Sequence, residues 1–277
     1  MENKKIFLIT GATNGIGFYT AETIAKTNNI LILSGKNKKK GENILHRIKK
    51  SSKNEDIFYI NGDLSSQNDI LNIHKIISNK FSRIDVLINN AGAAYLKKEN
   101  SLDGIEKTLA TNHLSFFLLT GLMLPMLLKS KNSRIINVSS AIHHKCENID
   151  FNDIQMKKSY DVFKAYRQSK LFNILFTYFL SQKLQSSNIS VNCLDPGNVN
   201  TGFSYIDNRD LLSIYLSKIA NFSKKIYKKK TKSESFLNKK TNQISPYAGS
   251  QTSVYLATDK EVQNITGKYF QFKKIVK

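Results

Sequence analysis

The chain has 277 residues, 40% of them hydrophobic and 23% charged, a balance that excludes disorder as its main state and supplies enough length for a sizeable core. Its net charge is +21, but only five of its 42 basic residues are arginine and the lysines are scattered along the chain, so the charge does not identify a nucleic-acid binder and none is expected as partner. Two cysteines, Cys146 and Cys193, exclude a disulfide scaffold and cannot complete a zinc site alone.

No metal site is expected, and the cysteine usage points to a reducing, cytoplasmic compartment. The N-terminal residues lack the apolar stretch of a signal peptide, and no run reaches the ~18 uninterrupted apolar residues of a membrane span.

Along the chain, apolar runs rich in β-branched residues predict strands over 6–10, 30–33, 57–60, 86–88, 135–138, 189–194 and 268–272. Between them, helical periodicity predicts helices over 16–26, 41–50, 68–79, 102–128, 160–184 and 246–257, with Pro125 bending or ending the fourth. Strands alternating with helices of ten or more residues imply βαβ crossovers and a parallel sheet covered on both faces. The expected fold is a doubly wound α/β sheet of the Rossmann type, in one domain over 1–277, with an insertion at about 203–245. Within it, 207–240 runs from an apolar stretch into a Lys-rich one. Helical segments 114–128 and 171–184 are more apolar than one buried stripe requires, which suggests packing against another subunit.

The first strand ends in Thr10-Gly11-Ala12-Thr13-Asn14-Gly15-Ile16-Gly17 and leads into a helix. Gly11 suits a tight turn, Gly15 a close backbone approach to a diphosphate and Gly17 close packing of helix on strand, with the helix N-terminus facing the anion. The second strand ends in Ser34-Gly35-Lys36-Asn37, without the acidic residue that would bind the ribose hydroxyls of NAD. NADP (NADPH) is therefore expected as cofactor over NAD, with Lys36 the point charge for its extra phosphate. Tyr166 and Lys170 are four apart, so on a helix they share one face, and an ammonium there favours the phenolate of a tyrosine. His143 and His144 read as loop residues near a substrate, and Cys193 as a packing residue of its strand.

These motifs, taken in order, resemble those of the short-chain dehydrogenase/reductase family across about residues 4–272. Beyond the glycine turn they are Asp63-Leu64, Asn89-Asn90-Ala91-Gly92, Asn112, Ser139-Ser140, Tyr166-Arg167-Gln168-Ser169-Lys170, and Pro196-Gly197 with Val199 and Thr201. The interval of 26 positions from Ser140 to Tyr166, together with Thr111-Asn112-His113-Leu114 and Ala165-Tyr166, resembles the retinol dehydrogenase and carbonyl reductase branch.

The resemblance implies hydride transfer between NADP(H) and a lipophilic carbonyl or alcohol. Tyr166 would exchange the proton, Ser140 would bond the substrate oxygen, Lys170 would hold the nicotinamide ribose, and Asn112 would position a water behind Lys170. Gly11, Thr13, Asn14, Gly15, Ile16, Gly17, Lys36, Asp63, Leu64, Asn90, Ala91, Gly92, Pro196, Gly197, Val199 and Thr201 would contact the cofactor. It also implies a homo-oligomer and a lid over the substrate formed by the insertion. Peripheral membrane contact through 211–240, or an ordinary amphipathic helix with a solvated loop, are alternatives for that segment. The rival to an enzyme is a cofactor-binding scaffold or redox sensor of the same fold.

Overall fold

A computed structural model describes residues 4–199 and 243–276. Among these residues, eight strands form one sheet: β1 (Ile6–Thr10), β2 (Ile30–Gly35), β3 (Ile57–Asn61), β4 (Val86–Asn89), β5 (Ser133–Val138), β6 (Ile189–Asp195), β7 (Lys268–Gln271) and β8 (Lys274–Val276). Their order is β3-β2-β1-β4-β5-β6-β7-β8, parallel throughout except for the β7–β8 pair. The helices are α1 (Gly15–Ala25), α2 (Lys38–Ser52), α3 (Gln67–Lys80), α4 (Lys107–Leu109), α5 (Ser115–Leu128), α6 (Val162–Lys183) and α7 (Pro246–Thr258).

The central strands have apolar residues on consecutive positions because both faces are covered. Phe7, Ile9, Leu31, Leu33, Ile88 and Ile136 face one core with Phe18, Ile24 and Leu256, from α1 and α7. Leu8, Ile32, Leu87, Ile135 and Val191 face the other with Ile73, Leu119 and Met123, from α3 and α5. The chain leaves β1 toward β2 on one side and reaches β4 on the other. The carboxyl ends of β1 and β4 therefore flank a crevice at this switch point, where open α/β sheets bind ligands.

Several features differ from the sequence expectation or fall outside its reach. The helix expected over 102–128 begins at Lys107, because Gly104, at φ +75°, turns the chain and residues 100–106 close a small loop through an Asn100–Glu106 bridge. Its first full turn is a π-turn, Ala110–Leu114. Pro125 does not end the helix, which runs on to Leu128: the carbonyl it leaves unbonded belongs to exposed Gly121, which water can reach and which has no side chain to obstruct the ring. The eighth strand was not expected, since its hairpin turn is Phe272-Lys273, both at positive φ (49° and 63°), without the Asn or Gly that normally marks such a turn. Thr201 and the segment 211–240 lie outside the described residues, as does nearly all of the insertion.

Among the described residues, Lys107–Leu128 is long and apolar enough to cross a membrane. Phe116, Leu119, Met123 and Leu127 on this run are buried within the fold.

At the amino end of the sheet, Asp85 joins three elements. Its Oδ2 accepts the Ile6 amide (2.7 Å), its Oδ1 accepts the Ser130 hydroxyl (2.6 Å), and Arg83 Nε pairs with it at 3.3 Å. Asp85→Ala strands a buried amide and a hydroxyl, so unfolding free energy should fall by about 2–3 kcal/mol, measurable as a lower urea midpoint at unchanged m-value.

Candidate active site

The glycine turn is built by close backbone contact. Gly11 and Gly15 adopt φ of +63° and +51°, and a Cβ on Gly17 would lie 2.3 Å from the Gly11 carbonyl oxygen and 2.4 Å from Asn90 Nδ2. Thr10 Oγ1 accepts the Asn90 and Ala91 amides at 2.9 and 3.1 Å, and Asn90 Nδ2 donates to the Thr10 carbonyl at 2.9 Å, which ties the Asn-Asn-Ala-Gly loop to the end of β1. Asn14 precedes α1 without a side-chain cap, so the first amides of that helix remain for an anion.

At the end of β2, the Tyr59 hydroxyl donates to the Gly35 carbonyl at 2.6 Å and lies 3.0 Å from that of Asn37. The Tyr59 ring occupies the space a Cβ on Gly41 would need, 1.9 Å from its nearest atom. This fixes the turn that carries Lys36. Asn37 caps α2 by accepting the Lys40 amide, and Lys38, Lys39 and Lys40 open the helix without an acid in its first turn, against the helix dipole. Asp63 Oδ1 is engaged by the amide and hydroxyl of Ser65, both at 2.9 Å.

At the other end of the cleft, α6 carries Tyr166 and Lys170 one turn apart. Lys170 is 3% exposed; its Nζ donates to the Val138 carbonyl at 3.2 Å and lies 5.5 Å from the Tyr166 ring centre. Burial pulls its amine down to about 8, against the opposing pull of Asp195. Both serines line the cleft; Ser139 donates its hydroxyl to the Lys170 carbonyl at 2.8 Å, while Ser140 caps the short turn Ala141–Lys145. His143 Nδ1 lies 2.7 Å from the Ser140 carbonyl, and burial lowers its pKa. The His143 and His144 rings sit 3.9 Å apart in this turn.

Asn112 lies in the π-turn, a helix irregularity common at functional sites. Its side chain makes three bonds: Oδ1 accepts the Ala93 amide (2.7 Å), and Nδ2 donates to the Ala93 carbonyl (2.8 Å) and Ser169 Oγ (3.0 Å). Its own carbonyl accepts from Asn173 Nδ2 at 2.9 Å. A Cβ on Gly92 would lie 3.4 Å from Lys170 Nζ and 3.6 Å from Asn112 Oδ1, so these three residues are packed together.

A cleft of 720 Å³ runs between the two ends. Its wall includes Gly11, Thr13, Asn14, Gly15, Ile16, Gly17, Lys36, Asp63, Leu64, Asn90, Ala91, Gly92, Ser140, Tyr166, Lys170, Pro196, Gly197 and Val199. Asn112 stands behind the wall. Sequence reasoning missed Tyr95, Ile142, Asp195, Gln271 and Phe272, which also line it. Asp195 had a legible signal, a charge at the end of an otherwise uncharged strand; Gln271 and Phe272 arrive only through the pairing of β7 with β6. Cys193, fully buried on β6 with its thiol pushed up to about 12 by burial, is the packing residue expected.

Residues 5–210 match the family model for short chain dehydrogenase. The chain is 32% identical to human polyprenol dehydrogenase, covering 99% of this chain and 78% of that protein, and 35% identical to mouse retinol dehydrogenase 13, covering 96% and 75%. Among solved structures, salutaridine reductase from Papaver somniferum superposes with a TM-score of 0.71 at 18% identity, over 97% of this chain and all of that one. A short chain dehydrogenase from Shigella flexneri, complexed with NADP, does so with 0.68 at 20% identity, over 98% of each chain.

The buried amine has a stability signature. Between pH 8 and about 10.5 the unfolded chain holds a proton that the folded Lys170 has released, so stability rises with pH across that window; below pH 8 the folded state bears the full cost of the buried charge. Lys170→Met should raise unfolding free energy at pH 7 by about 2 kcal/mol, the shift being worth about 3 and the lost bond to Val138 about 1. Urea unfolding at pH 7 and pH 9.5 would check both this gain and a flatter pH dependence.

Proposed function

The chain belongs to the short-chain dehydrogenase family, and on that premise we propose that it transfers hydride between NADP(H) and a lipophilic carbonyl or alcohol, with Tyr166, Lys170, Ser140 and Asn112 as its working set. The observation that carries this reading is a water-excluded ammonium one helical turn from a tyrosine, in the same cleft as a glycine turn that opens a helix.

The dinucleotide fits the cleft's construction. The glycine turn leaves the α1 amides uncapped for the diphosphate, and the space at Gly17 is closed to any side chain. Lys36, with Lys38, Lys39 and Lys40 at the start of α2, supports a 2′-phosphate, which would offset the unfavourable placement of three cations at a helix N-terminus. When bound, the cofactor supplies or accepts the hydride. Tyr166 Oη then donates a proton to the substrate oxygen in reduction and accepts it in oxidation, while Ser140 Oγ bonds the same oxygen.

The Lys170 ammonium favours the phenolate by charge, and the Val138 carbonyl fixes where that charge lies. Asn112 holds the Ala93 peptide and the π-turn against Lys170, alongside the water-positioning role the resemblance implies.

Ile142, Val199, Ile244 and Phe272 make the wall around this end apolar, which supports a lipophilic substrate. Polyprenol and retinol, the alcohols named in the similar human and mouse proteins, are of that class. Exposed Phe117 and Leu128 on α5, with Leu175 and Phe179 on α6, support a homo-oligomer.

Tyr166→Phe should lower kcat at least about 100-fold in a screen of apolar aldehydes and ketones with NADPH, with an unchanged melting temperature. A variant as active as the parent would reject Tyr166 as the proton carrier. Lys36→Asp should weaken NADPH binding about tenfold or more and NADH binding far less, read from the two dissociation constants by fluorescence titration. Equal effects would reject the 2′-phosphate role.

A further inference from the structure

The cleft wall contains two carboxylates among the described residues. Asp63 stands beside Gly62 at the Lys36 end, with one oxygen engaged by Ser65. Asp195 stands at the other end, at the tip of β6, and is 2% exposed. Leu194, the residue before it, pairs with Val138, whose carbonyl takes the Lys170 ammonium, and the Leu194 carbonyl accepts the Ser139 amide at 2.7 Å. Strand register therefore sets Asp195 at the end of the strand beside β5, whose Val138 carbonyl receives the Lys170 ammonium.

Gln271, opposite Asp195 on β7, donates its Nε2 to Asp195 Oδ2 at 2.8 Å. That amide bond suits an ionised carboxylate and fixes its direction. Among the described residues, His143 on the short turn, Cys193 on β6 and Tyr269 on β7 also lie near it, and each has its charged form disfavoured by burial. Among the described residues, Lys170 and Asp195 are thus the oppositely charged side chains at this end, beside the Tyr166 hydroxyl that the proposed reading uses.

This end of the cleft is where the proposed reading puts the nicotinamide, and the inference rests on that reading. The oxidised ring carries a positive charge and the reduced ring does not. Beside a buried ammonium alone, the oxidised form would be repelled; a buried carboxylate at the same end offsets that repulsion. We infer that Asp195 is the counter-ion of the redox end of the cleft, and that it sets the preference of this protein for the oxidised over the reduced nicotinamide. Gln271 is its positioning residue. Structural damage at Asp195 would weaken both forms together, whereas loss of its charge acts on one.

The test measures dissociation constants for NADP+ and NADPH by titration calorimetry at pH 7, where Lys170 keeps its proton and His143 is largely neutral. Parent, Asp195→Asn and Asp195→Glu are compared. Asn has the same shape and still accepts the Gln271 amide, and Asp195→Ser serves in its place if the thermal melt of the Asn variant is lost. The expected result is that Asp195→Asn weakens NADP+ relative to NADPH by about tenfold, while Asp195→Glu keeps the parent ratio. An unchanged ratio in Asp195→Asn, whether both constants move together or neither moves, overturns the counter-ion role and leaves the functional reading standing. Failure of the parent to bind either dinucleotide overturns that reading, and the inference with it.

Discussion

Lys170 has its amine where water scarcely reaches, and much of the site can be understood as the means of holding it there. An ammonium that loses its hydration must regain it from fixed dipoles and charges, or release its proton. Here the Val138 carbonyl provides one dipole and Asp195 provides opposing charge, and together they only partly offset the burial. Around them the fold closes tightly: Gly92 leaves just the space that Nζ and the Asn112 amide need, and Ser139 ties α6 to the end of β5.

A second layer of polar groups behind that amine makes the arrangement rigid. The π-turn brings Asn112 across to Ala93 and Ser169, and Asn173 reaches the Asn112 carbonyl from α6 while pairing with His113 Nδ1 at 3.1 Å. Deeper still, Asn89 bonds Thr120 and Asn137, and Asn137 bonds Thr177. Amides and hydroxyls thus cross-link β4, β5, α5 and α6 beneath the cleft. Buried polar networks restrict how elements can pack, and this one, in which Asn89 Oδ1 alone of these side-chain atoms is buried without a partner, ties together the elements that carry the reactive groups.

Most of the sheet was legible in the sequence because its strands are buried on both faces and read as unbroken β-branched runs. The glycine turn and the Tyr166–Lys170 pair were legible because each demands particular residues at fixed spacing, and the Asn-Asn-Ala-Gly loop through its resemblance to the family motif. Other features depended on distant contacts that no local pattern records. The π-turn is set by Asn112 reaching Ala93, nineteen residues earlier, and the start of α4 by a loop that closes on itself. Asp195 was visible as a charge, but its role depends on Gln271 from the far end of the chain. The last hairpin was hidden because Phe272 and Lys273 pay the cost of a left-handed backbone that Gly or Asn would have advertised.

That hairpin turns the Phe272 ring against Gly197, where an added Cβ would lie 3.3 Å from it, and into the wall of the cleft. The edge strand β8 therefore does more than finish the sheet. By pairing with Tyr269, Phe270 and Gln271 it keeps the reversal folded, so that fraying at this margin would loosen one side of the ligand's seat and release the amide that steadies Asp195. Peripheral order and the electrostatics of the reactive end are in this way mechanically joined.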